Sequence, residues 1–157
     1  MIVHTVRIPY VYGETIHLKP VFDCHVGNSY CDIRALKSYL ADSDESTYFF
    51  TGGDFTDSII TRDLKRYTKH ADDTEGDAVI DEQVDLAYQI LAPYKDKLIG
   101  IGRGNHEEAI KKHCGTDPSG RLAALLGVTY LGYSGIIRLL LSENGMRTRT
   151  VLIRWHH

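Results

Sequence analysis

Three short apolar runs in this chain each end abruptly on a polar cluster carrying an acid, an imidazole or both. Thr15 to Phe22 runs into Asp23-Cys24-His25-Val26-Gly27-Asn28, Thr47 to Thr51 into Gly52-Gly53-Asp54, and Leu98 to Gly102 leads to Gly104-Asn105-His106-Glu107. Runs rich in β-branched and aromatic residues, bounded by glycine and polar residues, read as strands. Helical periodicity fills the intervals. Ile33, Leu36 and Leu40 recur behind a capping Asp32, and Val84, Leu86, Ala87, Ile90 and Leu91 mark an amphipathic helix over Asp81 to Tyr94. Strands alternating with helices predict an α/β fold, whose ligand sites gather at the carboxyl ends of the strands. All three polar clusters occupy such ends.

Beyond them, Arg121 to Leu126 is expected to be helical. Val128 to Leu131, Gly135 to Leu141 and Thr148 to Trp155 read as strands, the last two joined by the hairpin signal Glu143-Asn144-Gly145. The second half is therefore expected to be β-rich and antiparallel. The polar stretch from Thr61 to Gly76 places Lys65, Arg66, Lys69 and His70 before Asp72, Asp73 and Glu75, and reads as helix followed by exposed loop. No repeat, low-complexity tract or linker divides the 157 residues, so one domain spanning 1–157 is expected.

A net charge of -3 gives no basic footprint for a nucleic-acid backbone, which leaves nucleic acid unsupported as a partner. No apolar run approaches the ~20 residues of a membrane span. Met1 to Tyr12 lacks a secretion signal, and three scattered cysteines, Cys24, Cys31 and Cys114, form neither a disulfide framework nor a zinc site. The cytoplasm is the expected compartment.

The clusters supply what phosphate-ester hydrolysis needs. Two divalent ions ~3.5 to 4 Å apart neutralise phosphoryl charge and activate water, and they are held by carboxylates and imidazoles. Asp23 and His25 lie two apart on a chain leaving a strand, where one turn aims both at one ion. Asp54 follows two glycines whose permissive backbone lets a carboxylate lean between two ions. Asn105 offers a neutral amide oxygen, its neighbour His106 a proton or a polarising group, and Trp155-His156-His157 two more imidazoles.

Asp23-x-His25, Gly53-Asp54-x-x-Asp57, Gly104-Asn105-His106-Glu107 and a later strand-end histidine resemble, in order and spacing, the blocks of calcineurin-like metallophosphoesterases. Any one block is weak, but the ordered set, each after a strand, is specific and covers nearly the whole chain. The resemblance implies a four-layer α/β/β/α sandwich and a metal-dependent phosphomonoesterase or phosphodiesterase in which two ions (manganese, iron or zinc) activate the attacking hydroxide. Asp23 and His25 would bind the first ion, Asp54 would bridge, and Asn105 with a strand-end histidine would bind the second. His156 is preferred for that histidine and His157 is the alternative. His106 would be catalytic, near the leaving oxygen, with Asp57 and Glu107 supporting the ligands. The family pattern closes on a Gly-His-x-His block that this sequence does not contain, so the fold is expected to be incomplete at its C-terminal side. A nuclease of the same family and a non-catalytic interaction module on the same fold are the alternatives. Intact ligand positions speak against the module.

Other residues have plainer readings. Asp32 caps a helix. Arg103 pairs with a surface acid. His4, His17, His70 and His113 fall in no block, and side-chain alternation turns Cys24 away from its ligand neighbours as a packed small residue.

Overall fold

A computed structural model gives the fold, described over residues 2–59, 79–144 and 146–157. The expected helix and loop over 61–76, with His70, lie outside the described residues. The chain order is β1 (Ile2–Pro9), β2 (His17–Val21), α1 (Ile33–Ala41), β3 (Thr47–Thr51), α2 (Val79–Leu91), a 3-10 helix (Ala92–Lys97), β4 (Leu98–Gly102), α3 (Asn105–Cys114), α4 (Pro118–Leu126), β5 (Thr129–Gly132), β6 (Ser134–Glu143) and β7 (Met146–His156).

The three strands that carry the polar clusters lie side by side in one parallel sheet of order β2-β3-β4-β5. Consecutive side chains along these strands face opposite ways. Val21 and Phe49 therefore pack with Leu40, Val84, Ile90 and Leu122 of the helices, while their neighbours Phe22 and Phe50 meet edge to face at 5.7 Å on the other side. That second face joins a three-stranded sheet, β1-β6-β7, through Ile8, Ile137, Leu139, Leu141 and Trp155 packed with Phe50, Ile99 and Leu131. The molecule is thus mixed α/β, with helices, a parallel sheet and a second sheet stacked in that order. Each buried Phe or Leu in these layers contributes ~1.5–3 kcal/mol.

Three elements differ from the sequence reading. β5 pairs in parallel with β4, because α4 carries the chain back along the helical layer before it re-enters the first sheet. Among the described residues only β6 and β7 pair antiparallel, their register bringing Glu143 opposite Met146 with Asn144 at φ 50 in the turn. Ile2–Pro9, read above only for targeting signals, is a strand parallel to β6. Its alternation is hard to see because the inward positions are His4, Val6 and Ile8, and the outward ones include Val3. The fourth layer is not found among the described residues: Val3 and Leu152, on the outer face of the second sheet, are exposed.

Candidate metal centre

The loops leaving β2 and β3 run side by side past the end of the sheet. Asp23 N–H donates to the Gly53 carbonyl at 3.2 Å, His25 N–H to Asp54 at 3.0 Å and Val26 N–H to Phe55 at 2.8 Å. This pairing is maintained through a left-handed backbone at three polar residues, Asp23 (φ 51), His25 (φ 50) and Asp54 (φ 47). Such conformations cost non-glycine residues energy and persist where the surroundings over-determine them.

Two glycines let the second and third loops touch. At Gly53 (φ 117) an added Cβ would lie 2.4 Å from the Gly104 nitrogen, and at Gly104 it would lie 2.0 Å from Asp54 Oδ1. Glu107, 1% exposed, ties the same loops together. Its Oε2 accepts from Asp54 N–H and Gly104 N–H, both at 2.9 Å, and its Oε1 accepts from Thr56 N–H at 3.1 Å and the Thr56 hydroxyl at 3.2 Å. Burial, with the charge of Asp54, pushes this carboxyl above its ordinary range, while the backbone donors oppose that shift. Glu107 is a support for Asp54.

Asp54 lies at the centre of the site, 3% exposed. Its Oδ1 accepts the His106 backbone N–H at 2.9 Å, at the start of α3, where unpaired amides favour a negative charge. Its Oδ2 lies 3.2 Å from His157 Nε2 and 4.0 Å from His106 Nε2. Two sets of donor atoms converge on it, His25 with Asp54 and His106, and Asp23 with Asp54 and His157, each set lying within 4.8 Å of one another. Asn105 Oδ1 lies 2.9 Å from His157 Nε2 and so joins the second set. Among the described residues, no lysine or arginine pairs with Asp23 or Asp54. Carboxylates, imidazoles and an amide oxygen suit a first-row divalent ion, and the residues present fit one.

Asp57 holds the imidazoles. Its Oδ1 accepts from His25 Nδ1 at 3.2 Å, and its backbone carbonyl, which can only accept, lies 2.6 Å from His106 Nδ1. His106 is thereby fixed with Nδ1 protonated and Nε2 facing the site, its ring 4.6 Å from that of His25. The Asp57 hydrogen bond raises the His25 imidazole above its ordinary value, with the Asp54, Asp57 and Asp23 charges, against the opposing effect of burial.

The structure places the two terminal histidines differently, and it is the alternative, His157, that it brings to Asp54. His156, preferred in the sequence reading, is exposed and meets Tyr133 edge-on at 5.6 Å, whereas His157 reaches Asp54 and Asn105. The reason is the strand period: Trp155 is 5% exposed in the core between the sheets, so His157, two residues on, shares its side and His156 turns away. A second departure concerns Asp23 and His25. Expected on one ion, they fall into different donor sets that share only Asp54.

Arg103 is occupied by Glu108 at 2.6 Å and Asp117 at 3.4 Å. Cys24 is partly buried against the helix-side core, and burial pushes its thiol up to about 12, so it is neutral. Asn28, quoted in the first cluster but given no role, links two loops: its amide nitrogen donates to Asp57 Oδ1 at 3.2 Å and its oxygen accepts Tyr30 N–H at 3.0 Å. Its place three residues after His25 was the available signal. No helix among the described residues is long and apolar enough to cross a membrane. Compared with protein-family models, curated proteins and solved structures, the chain matches none.

Proposed function

We propose that the protein is a metal-dependent phosphoesterase of the calcineurin-like type that its motifs resemble. The observation that carries this reading is the Asp54 carboxylate, shared by two converging donor sets at adjacent strand ends and without a lysine or arginine partner among the described residues. Asp54 with Asp23, His157 and Asn105 would hold one divalent ion, and His25 would join Asp54 at the other, beside His106. Bound ions would supply charge neutralisation and an activated water. The side chains do the rest. Asp57 and Glu107 fix the ligands before substrate arrives, so little reorganisation is left for the reacting state. His106, anchored through Nδ1, directs Nε2 toward the leaving oxygen and, when protonated, donates to it. The monoester or diester preference lies outside what these ligands decide, because it is set by the cavity beside them.

The test is hydrolysis of a chromogenic phosphomonoester and a phosphodiester with added manganese, using the wild type, Asp54→Ala and His106→Ala. Metal-dependent turnover that both substitutions abolish is expected. Metal-loaded, folded protein that hydrolyses neither ester above its variants would sink the reading and move an interaction role ahead.

A further inference from the structure

Beside the His25–His106 pair opens a cavity of about 500 Å³ with a mixed lining. Asp23, Asp57, His25 and His106 contribute polar groups to its wall, and Cys24, Cys31, Ile59 and the ring of Tyr30 contribute apolar surface. The size is that of a site for a whole small molecule, beyond the needs of a phosphoryl group.

Tyr30 is 90% exposed, so the core has no claim on its ring. Its backbone is nonetheless pinned to the site. Tyr30 N–H donates to the Asn28 side chain, the Asn28 amide donates to Asp57, and Asp57 holds His25. Asn28 N–H closes on the His25 carbonyl at 3.0 Å, and Cys31 N–H on that of Asn28 at 2.9 Å. A large flat side chain is thus carried on a fixed loop in the wall of a partly apolar cavity that His106 also lines. Aromatic rings with few rotatable bonds give contact area at low entropic cost.

We infer that this cavity is a leaving-group subsite for a phosphate ester whose alcohol carries a planar aromatic ring, with Tyr30 as its stacking wall. The inference rests on the phosphoesterase reading for its chemistry and on the cavity alone for its aromatic preference. Phosphate would sit beside His25 and His106, and the ring against Tyr30, Cys24, Cys31 and Ile59.

The experiment compares benzyl phosphate with ethyl phosphate, whose alcohols differ little in acidity, on manganese-loaded wild type, Tyr30→Ala and Tyr30→Phe. Binding of benzylphosphonate and ethylphosphonate to the same proteins is measured by calorimetry. The benzyl-to-ethyl ratio of kcat/KM is expected to fall roughly tenfold in Tyr30→Ala, within the range that stacking on an aromatic side chain provides. Tyr30→Phe should keep the ratio, because the ring and not the hydroxyl makes the contact. A ratio unchanged in Tyr30→Ala, or lost equally in Tyr30→Phe, overturns the subsite and leaves the hydrolytic reading standing. Tyr30-dependent preference for benzylphosphonate without turnover of either ester supports the subsite and sinks the hydrolytic reading. Equal binding of the two phosphonates overturns the subsite whatever the turnover.

Discussion

Gly104→Ala is the substitution whose cost the structure defines most sharply. Gly104 has φ -100 and ψ -170, an extended conformation that alanine adopts without strain, so any effect must come from space. The new methyl would lie 2.0 Å from Asp54 Oδ1, 2.6 Å from its carboxyl carbon and 2.4 Å from its backbone nitrogen. Ordinary contact requires more than an ångström of separation beyond that, and the Asp54 backbone is itself tied to Glu107 at 2.9 Å. Overpacking of a tight interior costs ~1–3 kcal/mol. Moving Asp54 aside also lengthens its bond from His106 N–H, and a hydrogen bond to a charged group contributes ~1.5–3 kcal/mol. The sum is a loss of ~2.5–6 kcal/mol. Gly115→Ala is the control: nothing lies within 4 Å of its added methyl, but its φ of 71 makes the cost purely conformational, ~1 kcal/mol. Denaturant midpoints at unchanged m-value measure both, and calorimetric manganese titration reads the site. Gly104→Ala should lose stability and metal affinity together, and Gly115→Ala a little stability alone. A Gly104→Ala protein within 1 kcal/mol of wild type would refute the contact between the second and third loops.

Further outcomes follow from the same geometry. Because His157 and not His156 faces Asp54, His157→Ala should weaken manganese binding ~10-fold or more, while His156→Ala changes it less than ~3-fold, as read by calorimetry. Alkylation followed by mass mapping should label exposed Cys114 well before Cys24, whose thiol is pushed up to about 12; equal rates would contradict the partly buried placement of Cys24. At the start of α4, hydrogen bonds from Lys111, Gly120 N–H and Tyr130 hold the Asp117 carboxyl below its ordinary value despite the opposing effect of burial. A depressed folded pKa gives stability that is present above the unfolded value near ~3.9 and is lost as pH falls through the folded one. Asp117→Asn keeps the cap and removes the charge, so it should cost ~1 kcal/mol at pH 7 after solvent screening. The gap should close below about pH 4, and urea melts at the two pH values check the sign.

How far the site was legible depended on which physical rule governed each residue. Asp23, His25, Asp54, Asn105 and His106 could be gathered from sequence because alternating strands and helices force a parallel sheet, and a parallel sheet brings strand ends together. That rule acts over whole elements and tolerates errors of a residue or two. The choice between His156 and His157 does not tolerate them, since one step along a strand reverses the face. The core placement of Trp155 decided it, and that depends on a second sheet whose edge strand β1 was hidden by His4 on its inner face. The division of Asp23 from His25 was hidden for another reason. It follows from left-handed backbone at two non-glycine residues, which residue type alone does not foretell.

The same left-handed residues show why so much hydrogen bonding surrounds so few side chains. Asp23, His25 and Asp54 are held in costly conformations, and Asp54 and Glu107 are buried acids that repel each other. None of this favours folding by itself. It is offset by Glu107 accepting three backbone amides and a hydroxyl, by Asp57 anchoring two imidazoles, and by an extended pairing of the loops beyond the strands. A site that needed only a folded surface would be relieved of this strain by asparagine at 54 and glycine at 23. Acids in that backbone make sense if a divalent cation is their counter-charge, because it would draw Asp23 and Asp54 toward a common centre and relieve the repulsion between Asp54 and Glu107. The strain and the lack of a lysine or arginine partner for Asp23 and Asp54 among the described residues therefore belong together, as features of a site whose groups could hold a metal ion.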